Sequence, residues 1–348
     1  MFEFSDVYFD KIAVHNVGNR QTDEKLNLSK SKLEIDEEII NELLLKYFLK
    51  PFKEEIFYQF YHETDIELNE VYSYCKKIFN NDDEFFNQSV NLAKHLYENS
   101  NHPKIKGGEF YVVYFNNVWI GDEEVDAIGL FKSENKDTFL KVYSKNNNFE
   151  IEHDKGININ KLDKGCLVFN TSDQEGYKCC IVDNVSKGEE ALYWKEYFLQ
   201  LKAVEDDYFH TKNYMKMCKS YVDDIYNQEN DIPKTDQIDM LNTTVNFFKN
   251  NEKFDKKEFE ETVFEAQENI QSFQAYQEKY KDEQDIQVVD NFDISKQAVK
   301  GTKKVFKSVL KLDKNFHVYI HGNRSYIERG FDDETNMNFY KLFFEKES

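Results

Sequence analysis

Six strand-like runs between residues 109 and 185 constrain this chain more than any other feature. EFYVVYF, DAIGLFK, TFLKVYS, FEIEH, CLVFN and YKCCIVDNV follow one another, separated by short turns of Asn, Asp, Gly and Lys. β-Branched and aromatic residues favour strands, and connections this short suit antiparallel neighbours. The block therefore reads as an antiparallel meander, the sheet of a first lobe.

Upstream, residues 6–16 alternate in the manner of a strand, and 55–61 read as a short one. Between and after them come three helical patterns. The first starts behind Asp36, carries Ile39, Ile40, Leu43, Leu44, Tyr47 and Phe48 on one stripe, and stops at Pro51. The second covers 69–80 and the third 83–98. From Glu189 the pattern is helical again. Ala191, Trp194, Tyr197, Phe198 and Leu201 share one face, and Tyr214, Met217, Cys218, Tyr221, Val222 and Ile225 share the next. A helix over 236–250 follows, then a single long one from Asp255 to about Tyr280, opened by a capping box of Asp255 and Glu258. The chain closes on four strand-like runs, FKSVLKL, FHVYIHG, RSYIERG and NFYKLFF.

The expectation is an α+β protein. Residues 1–187 form a lobe of helices packed on an antiparallel sheet, and 188–348 a mainly helical lobe closed by a small antiparallel sheet. The seam falls around 186–190, where no Pro-, Gly- or Ser-rich linker intervenes, so the two lobes are expected to share an interface and fold together. With 31 Phe and 22 Tyr in 348 residues, aromatic rings carry much of the packing.

No apolar run approaches the roughly 18–20 residues of a membrane span. The first residues lack the basic and apolar regions of a signal peptide. Five cysteines, odd in number and without a CxxC, read as reduced thiols of a cytoplasmic protein. Adjacent Cys179 and Cys180 should point to opposite faces of one strand. No P-loop, GxGxxG, GxSxG or HExxH is present, so neither a cofactor nor a metal site is expected. One enzymatic pattern remains. Asp126, followed by Glu134 and Lys136 as E-x-K, is the residue set with which a restriction-type nuclease holds a divalent metal. The competing reading is two turn acids and a lysine in a chain with 66 acidic residues.

Charge is the second strong signal. The chain carries a net −21, which opposes DNA. Residues 296–314 break this background. Lys296, Lys300, Lys303, Lys304, Lys307, Lys311 and Lys314 stand there against Asp313 alone, a local +6 that leaves −27 elsewhere. Arg324 and Arg329, two of only three arginines, follow. Such a stretch is either a solvated face beside an edge strand or a phosphate-contacting patch.

The order of motifs resembles the bacterial nucleoid-associated protein family. The residues that carry the resemblance are KIAVHNVGN (11–19), LAKHLYENSNHPKIKGGEFYVVYF (92–115), DAIGLFKSENKDTFLKV (126–142), KGININKLDKGCLVFN (155–170), YWKEYFLQLK (193–202) and the tail from 315 to 344. The resemblance implies a DNA-associated, non-catalytic protein of the cytoplasm and nucleoid. The first expectation is accordingly non-specific, salt-sensitive contact with DNA through the nine basic residues named, with a homodimer giving avidity to a weak patch. The second is an acidic adaptor for a protein partner in DNA processing, and the third the metal-dependent nuclease.

Overall fold

A computed structural model describes residues 2–4, 6–52, 56–120, 123–185, 192–227, 232–264, 266–284, 286–302, 306, 309–312, 315–319 and 326–346. It is α+β, and it divides into two compact units, Met1–Val204 and Glu205–Ser348.

The first unit is built on strands β1 (Phe2–Glu3), β2 (Tyr8–Val17), β3 (Leu26–Asn27), β4 (Tyr58–Phe60), β5 (Gly108–Ile120), β6 (Glu123–Ser133), β7 (Asp137–Lys145), β8 (Asn148–Gly156), β9 (Lys164–Phe169), β10 (Lys178–Asp183) and β11 (Leu201–Ala203). Nine of these form one antiparallel sheet in the order β11-β4-β10-β9-β6-β5-β2-β3, with β1 also paired to β5. Both faces of the sheet are covered. On one, Ala13, Val112, Ile128, Cys166, Val168 and Cys179 meet the helices Glu70–Asn80 and Phe85–Asn99. On the other, Ile12, Val113, Phe131, Leu167 and Cys180 meet Tyr47 and Phe48 of the helix Glu38–Leu49. A strand buried on both faces needs apolar residues at every position. This is why Cys166–Phe169 of β9 read as a continuous apolar run, and the strand is buried throughout. Cys179 and Cys180 do fall on opposite faces. Gly129 serves the second face: a Cβ there would lie 2.3 Å from the Phe131 ring, which stacks on Phe48 at 4.3 Å.

Two expectations for this region are corrected. TFLKVYS and FEIEH do not join the sheet. Among the described residues they pair, as β7 and β8, only with each other, through a two-residue turn at Asn146 and Asn147, both at positive φ. Positive φ at both central residues is what a type I′ hairpin requires, and Asn tolerates it. The expected helix through Trp194, Phe198 and Leu201 is also shorter. A single π-helical turn, Tyr193–Phe198, ends before Gln200 at φ 52°. Leu201 then starts β11, which hydrogen-bonds to β4, so Trp194, Phe198 and Leu201 all join the core of the first unit.

The second unit is mainly helical: Asp207–Asp224, Lys234–Asn250, Lys256–Phe264, Gln267–Gln284 and Lys296–Thr302. Its core is aromatic. Tyr214 lies 4.3 Å from Phe254 and 5.3 Å from Phe259, and Phe254 stacks on Phe292 at 4.5 Å. Asp255 caps its helix as expected, accepting from the Glu258 amide at 2.9 Å. The single helix expected over 255–280 is instead two, Lys256–Phe264 and Gln267–Gln284. The rings of Phe264 and Phe273 show why, lying 4.4 Å apart. Nine residues are about two and a half turns, so one unbroken helix would put these rings on opposite faces. Among the described residues the closing strands form separate two-stranded ribbons: β12 (Lys253–Asp255) with β13 (Asn291–Asp293), β14 (Val309–Leu312) with β15 (Phe316–Tyr319), and β16 (Ile327–Asp332) with β17 (Met337–Leu342). Among the described residues no helix is long and apolar enough to cross a membrane.

Candidate functional site

Of the nine basic residues expected to contact DNA, Lys303, Lys304, Lys307, Lys314 and Arg324 lie outside the described residues. Lys296 and Lys300 are exposed and lie four apart on the helix Lys296–Thr302, so they share a face, while Ala298, Val299 and Thr302 are buried. The Lys296 ammonium is already engaged. It donates to the carbonyls of Lys249, at 3.0 Å, and Asn251, where the helix Lys234–Asn250 ends. A cation there satisfies orphan carbonyls and complements the helix dipole. Lys311 stands opposite His317 in the β14–β15 ribbon, and exposed Arg329 opposite Tyr340 in the β16–β17 ribbon. Both ribbons are anchored on Ile238, through Leu312 and Val318 from one and Ile327 and Tyr340 from the other.

The three nuclease candidates are not brought together. Asp126 stands near the start of β6 and Glu134 just beyond its end, so eight residues at about 3.3 Å each keep them about 25 Å apart. Asp126 accepts from the Tyr114 hydroxyl at 2.8 Å and the Asn116 amide at 3.2 Å. Lys136 pairs with Glu109. No group of three or more His, Cys, Asp or Glu that could hold a metal occurs among the described residues. Supercoiled plasmid incubated with the protein and Mg²⁺ or Mn²⁺ should therefore stay supercoiled. Nicking that Asp126→Asn abolishes would restore the nuclease reading.

Glu134 belongs instead to a buried polar cluster that was not singled out in the sequence. Lys132 on β6 and Lys164 on β9 stand directly opposite each other, both fully buried. Like charges so placed repel unless each finds a counter-ion. Lys164 pairs with Asp183 on β10 at 2.8 Å. Lys132 donates to the Lys106 carbonyl at 2.7 Å and the Tyr193 hydroxyl at 3.2 Å, and pairs with Glu134 at 3.2 Å. Tyr193 lies between the lysines, its ring 5.4 Å from one ammonium and 5.1 Å from the other, its hydroxyl donating to Glu134 at 2.7 Å. Burial lowers the proton affinity of Lys132, and burial together with the neighbouring Glu134 raises the Tyr193 pKa well above that of a free phenol. Asp163 fixes the turn itself, accepting from the Glu134 amide at 2.6 Å and the Asn135 amide at 2.8 Å.

Glu134 also borders a polar cleft of about 570 Å³, together with Asn16, Gly18, Gly107, Glu109 and Lys136. Asn19, at the end of the same run as Gly18, ties β2 to the 102–105 loop by donating to the carbonyls of His102 at 2.8 Å and Ile105 at 2.6 Å. Gly18 is needed for close approach, since a Cβ there would lie 2.7 Å from the backbone carbonyl carbon of Glu24. Five separate stretches thus meet here: 11–19, 92–115, 126–142, 155–170 and 193–202, the last through Tyr193. Chemically the cluster is a set of mutually neutralising pairs that locks β6, β9, β10 and the π-helical turn together.

The family model described as nucleoid-associated protein YejK matches residues 13–338. No curated protein sequence matches the chain.

Proposed function

The chain belongs to the nucleoid-associated protein YejK family, and on that premise we propose that it is a non-enzymatic DNA-associated protein of the bacterial nucleoid. It meets duplex through residues 296–314 with Arg324 and Arg329. The observation that carries this reading is the reversal of charge: +6 over 296–314 in a chain of net −21. DNA carries a dense line of phosphates, so a surface of the wrong sign repels it and only a local cationic patch can approach. Exposed Lys300 and Arg329 are in keeping with such a patch.

If three to five of these side chains meet phosphates, log K falls against log[salt] with a slope of about −2.7 to −4.5, so affinity drops about 40- to 500-fold between about 50 and 200 mM salt. Little sequence preference is expected, because phosphate contacts position a protein on DNA without reading bases. A fluorescence-anisotropy titration of unrelated duplexes at several salt concentrations measures both. Replacing Lys300, Lys303, Lys304 and Lys307 together with Gln should weaken binding equally for all duplexes and flatten the slope. Unchanged affinity and slope in that variant would defeat the reading. The −27 carried by the rest of the chain would then favour the adaptor, whose acidic surface recruits a basic protein partner.

A further inference from the structure

The polar cleft beside Glu134 lies where β2 and β6 end and β5 begins, and contact with DNA through residues 296–329 makes no use of it. Three glutamates and three lysines line its volume of about 570 Å³: Glu24, Glu109 and Glu134 with Lys25, Lys136 and Lys155. Several are engaged within the chain. Lys136 pairs with one oxygen of Glu109, Glu24 accepts from the Asn19 amide, and Glu134 is held by Lys132 and Tyr193. The remaining groups form two sets. At the inner end, Glu109 and Ser133 stand directly opposite each other across β5 and β6. Glu109 Oε2 and Ser133 Oγ are buried, Ser133 being only 2% exposed, and neither atom has a hydrogen-bond partner among the described residues. The Tyr47 hydroxyl lies beside them, and burial pushes its pKa up to about 12, so it stays protonated. At the rim, Lys25 and Lys155 are exposed and form no ion pair among the described residues.

Buried polar atoms are nearly always hydrogen-bonded, because an unmet one has lost its water for nothing. A carboxylate oxygen and a hydroxyl meeting at the inner end of an open cleft call for a donor from outside the chain. We propose that the cleft binds a free amino acid with a guanidinium side chain. The guanidinium donates to Glu109 Oε2 and Ser133 Oγ, and the carboxylate meets the Lys25 and Lys155 ammoniums. Three features select this class. Carboxylates and ammoniums are equal in number along the lining, so it suits a zwitterion better than a polyanion. A guanidinium carries five donors in one plane and can serve a carboxylate and a hydroxyl together. No aromatic ring lines the cleft among the described residues, so a nucleobase would find no stacking surface.

The inference does not rest on the DNA reading. Replacing Lys300, Lys303, Lys304 and Lys307 with Gln should leave it untouched. Isothermal titration of the full chain with L-arginine should show saturable one-to-one binding in the sub-millimolar range. L-norvaline, which lacks the guanidinium, should not bind, and agmatine, which lacks the carboxylate, should bind about tenfold more weakly. Glu109→Gln keeps the shape of the side chain and should weaken arginine about tenfold. Replacing Lys25 and Lys155 with Gln alters only exposed side chains and guards against a variant that fails to fold. It should weaken arginine and leave agmatine unchanged. A wild type that does not saturate with arginine overturns the proposal and leaves the cleft to solvent. Equal affinity for arginine, agmatine and norvaline overturns it as well, as does unchanged arginine binding in both the glutamate and the lysine variants. Saturable binding of adenosine monophosphate in place of arginine would also overturn it, and assign the rim lysines to a phosphate.

Discussion

Glu134→Ala should destabilise the first unit by about 3–5 kcal/mol, as expected when a buried charge loses its counter-ion. Lys132 is fully buried and the Glu134 side chain only 3% exposed, so the ammonium depends on this carboxylate for its counter-ion. The ammonium would keep two neutral acceptors, the Lys106 carbonyl and the Tyr193 hydroxyl, with a second ammonium directly opposite at Lys164. Tyr193 would lose the acceptor of its own hydroxyl as well. The cost belongs to the unpaired charge and not to the lost contact, and that distinction can be tested. Lys132→Met in the same chain removes the ammonium and should recover most of the stability, because a buried ion pair is often worth no more than apolar packing of similar volume. Urea unfolding of the wild type, the single variant and the double variant measures both terms. A single variant within about 1 kcal/mol of wild type, or a double variant no better than the single, would show that the pair is solvated and the cluster loosely held.

The sheet was legible where its strands are apolar without interruption. Every residue from Cys166 to Phe169 of β9 faces one of two cores, so the run needs no alternation to mark it as a strand. TFLKVYS and FEIEH are strand-like through β-branched and aromatic residues, and the turn of two asparagines between them is strong hairpin chemistry. Which sheet the hairpin joins is not a local property. Pairing partners are set by long-range contacts, and nothing in TFLKVYS distinguishes a strand that enters the sheet from one that leaves it. The break between Phe264 and Gln267 was hidden for a related reason. A capping box marks where a helix starts, but the need to place Phe264 beside Phe273 arises only once both pack into one aromatic core.

The candidate site was partly visible. The reversal of charge at 296–314 is a property of composition and needs no structure. The engagement of Lys296 with carbonyls at the end of another helix is a tertiary fact that no spacing encodes. The buried cluster has no local sequence signature, because a lysine closing an apolar run, as in DAIGLFK or ahead of GCLVF, ordinarily marks the strand's emergence into solvent. Lys132 and Lys164 stay inside because each carboxylate partner comes from elsewhere, Glu134 from the following turn and Asp183 from the neighbouring strand. The usable signal is pairwise: a Lys near the end of one strand and a Lys at the start of another, which antiparallel pairing sets opposite each other, with an acid near each.

Lowering the pH from 7 to 4 should cost the wild type about 3 kcal/mol more than it costs a His15→Gln variant. His15 lies on β2 and is only 2% exposed. Its Nδ1 accepts from the Ser29 amide at 3.2 Å, which leaves the proton on Nε2 to donate to the Ser89 hydroxyl at 3.1 Å. Ser89 in turn donates to the Phe86 carbonyl at 2.7 Å. The neutral ring therefore has both nitrogens satisfied, while a second proton would displace the Ser29 amide and place a charge among apolar neighbours. Burial accordingly lowers the His15 pKa from 6.5 to about 4. A group depressed in the folded state contributes stability above its unfolded pKa and loses it as pH falls. The loss begins near pH 6.5, where the unfolded chain takes up the proton, and is complete near pH 4, where the folded one does too. Two and a half pH units at about 1.4 kcal/mol each give the size of the effect. Carboxylates that also titrate in this range are common to both proteins, so the difference between their unfolding free energies at each pH isolates the histidine. Parallel curves for wild type and variant would mean that His15 accepts its proton without penalty, and that the bond from the Ser29 amide does not hold the ring neutral.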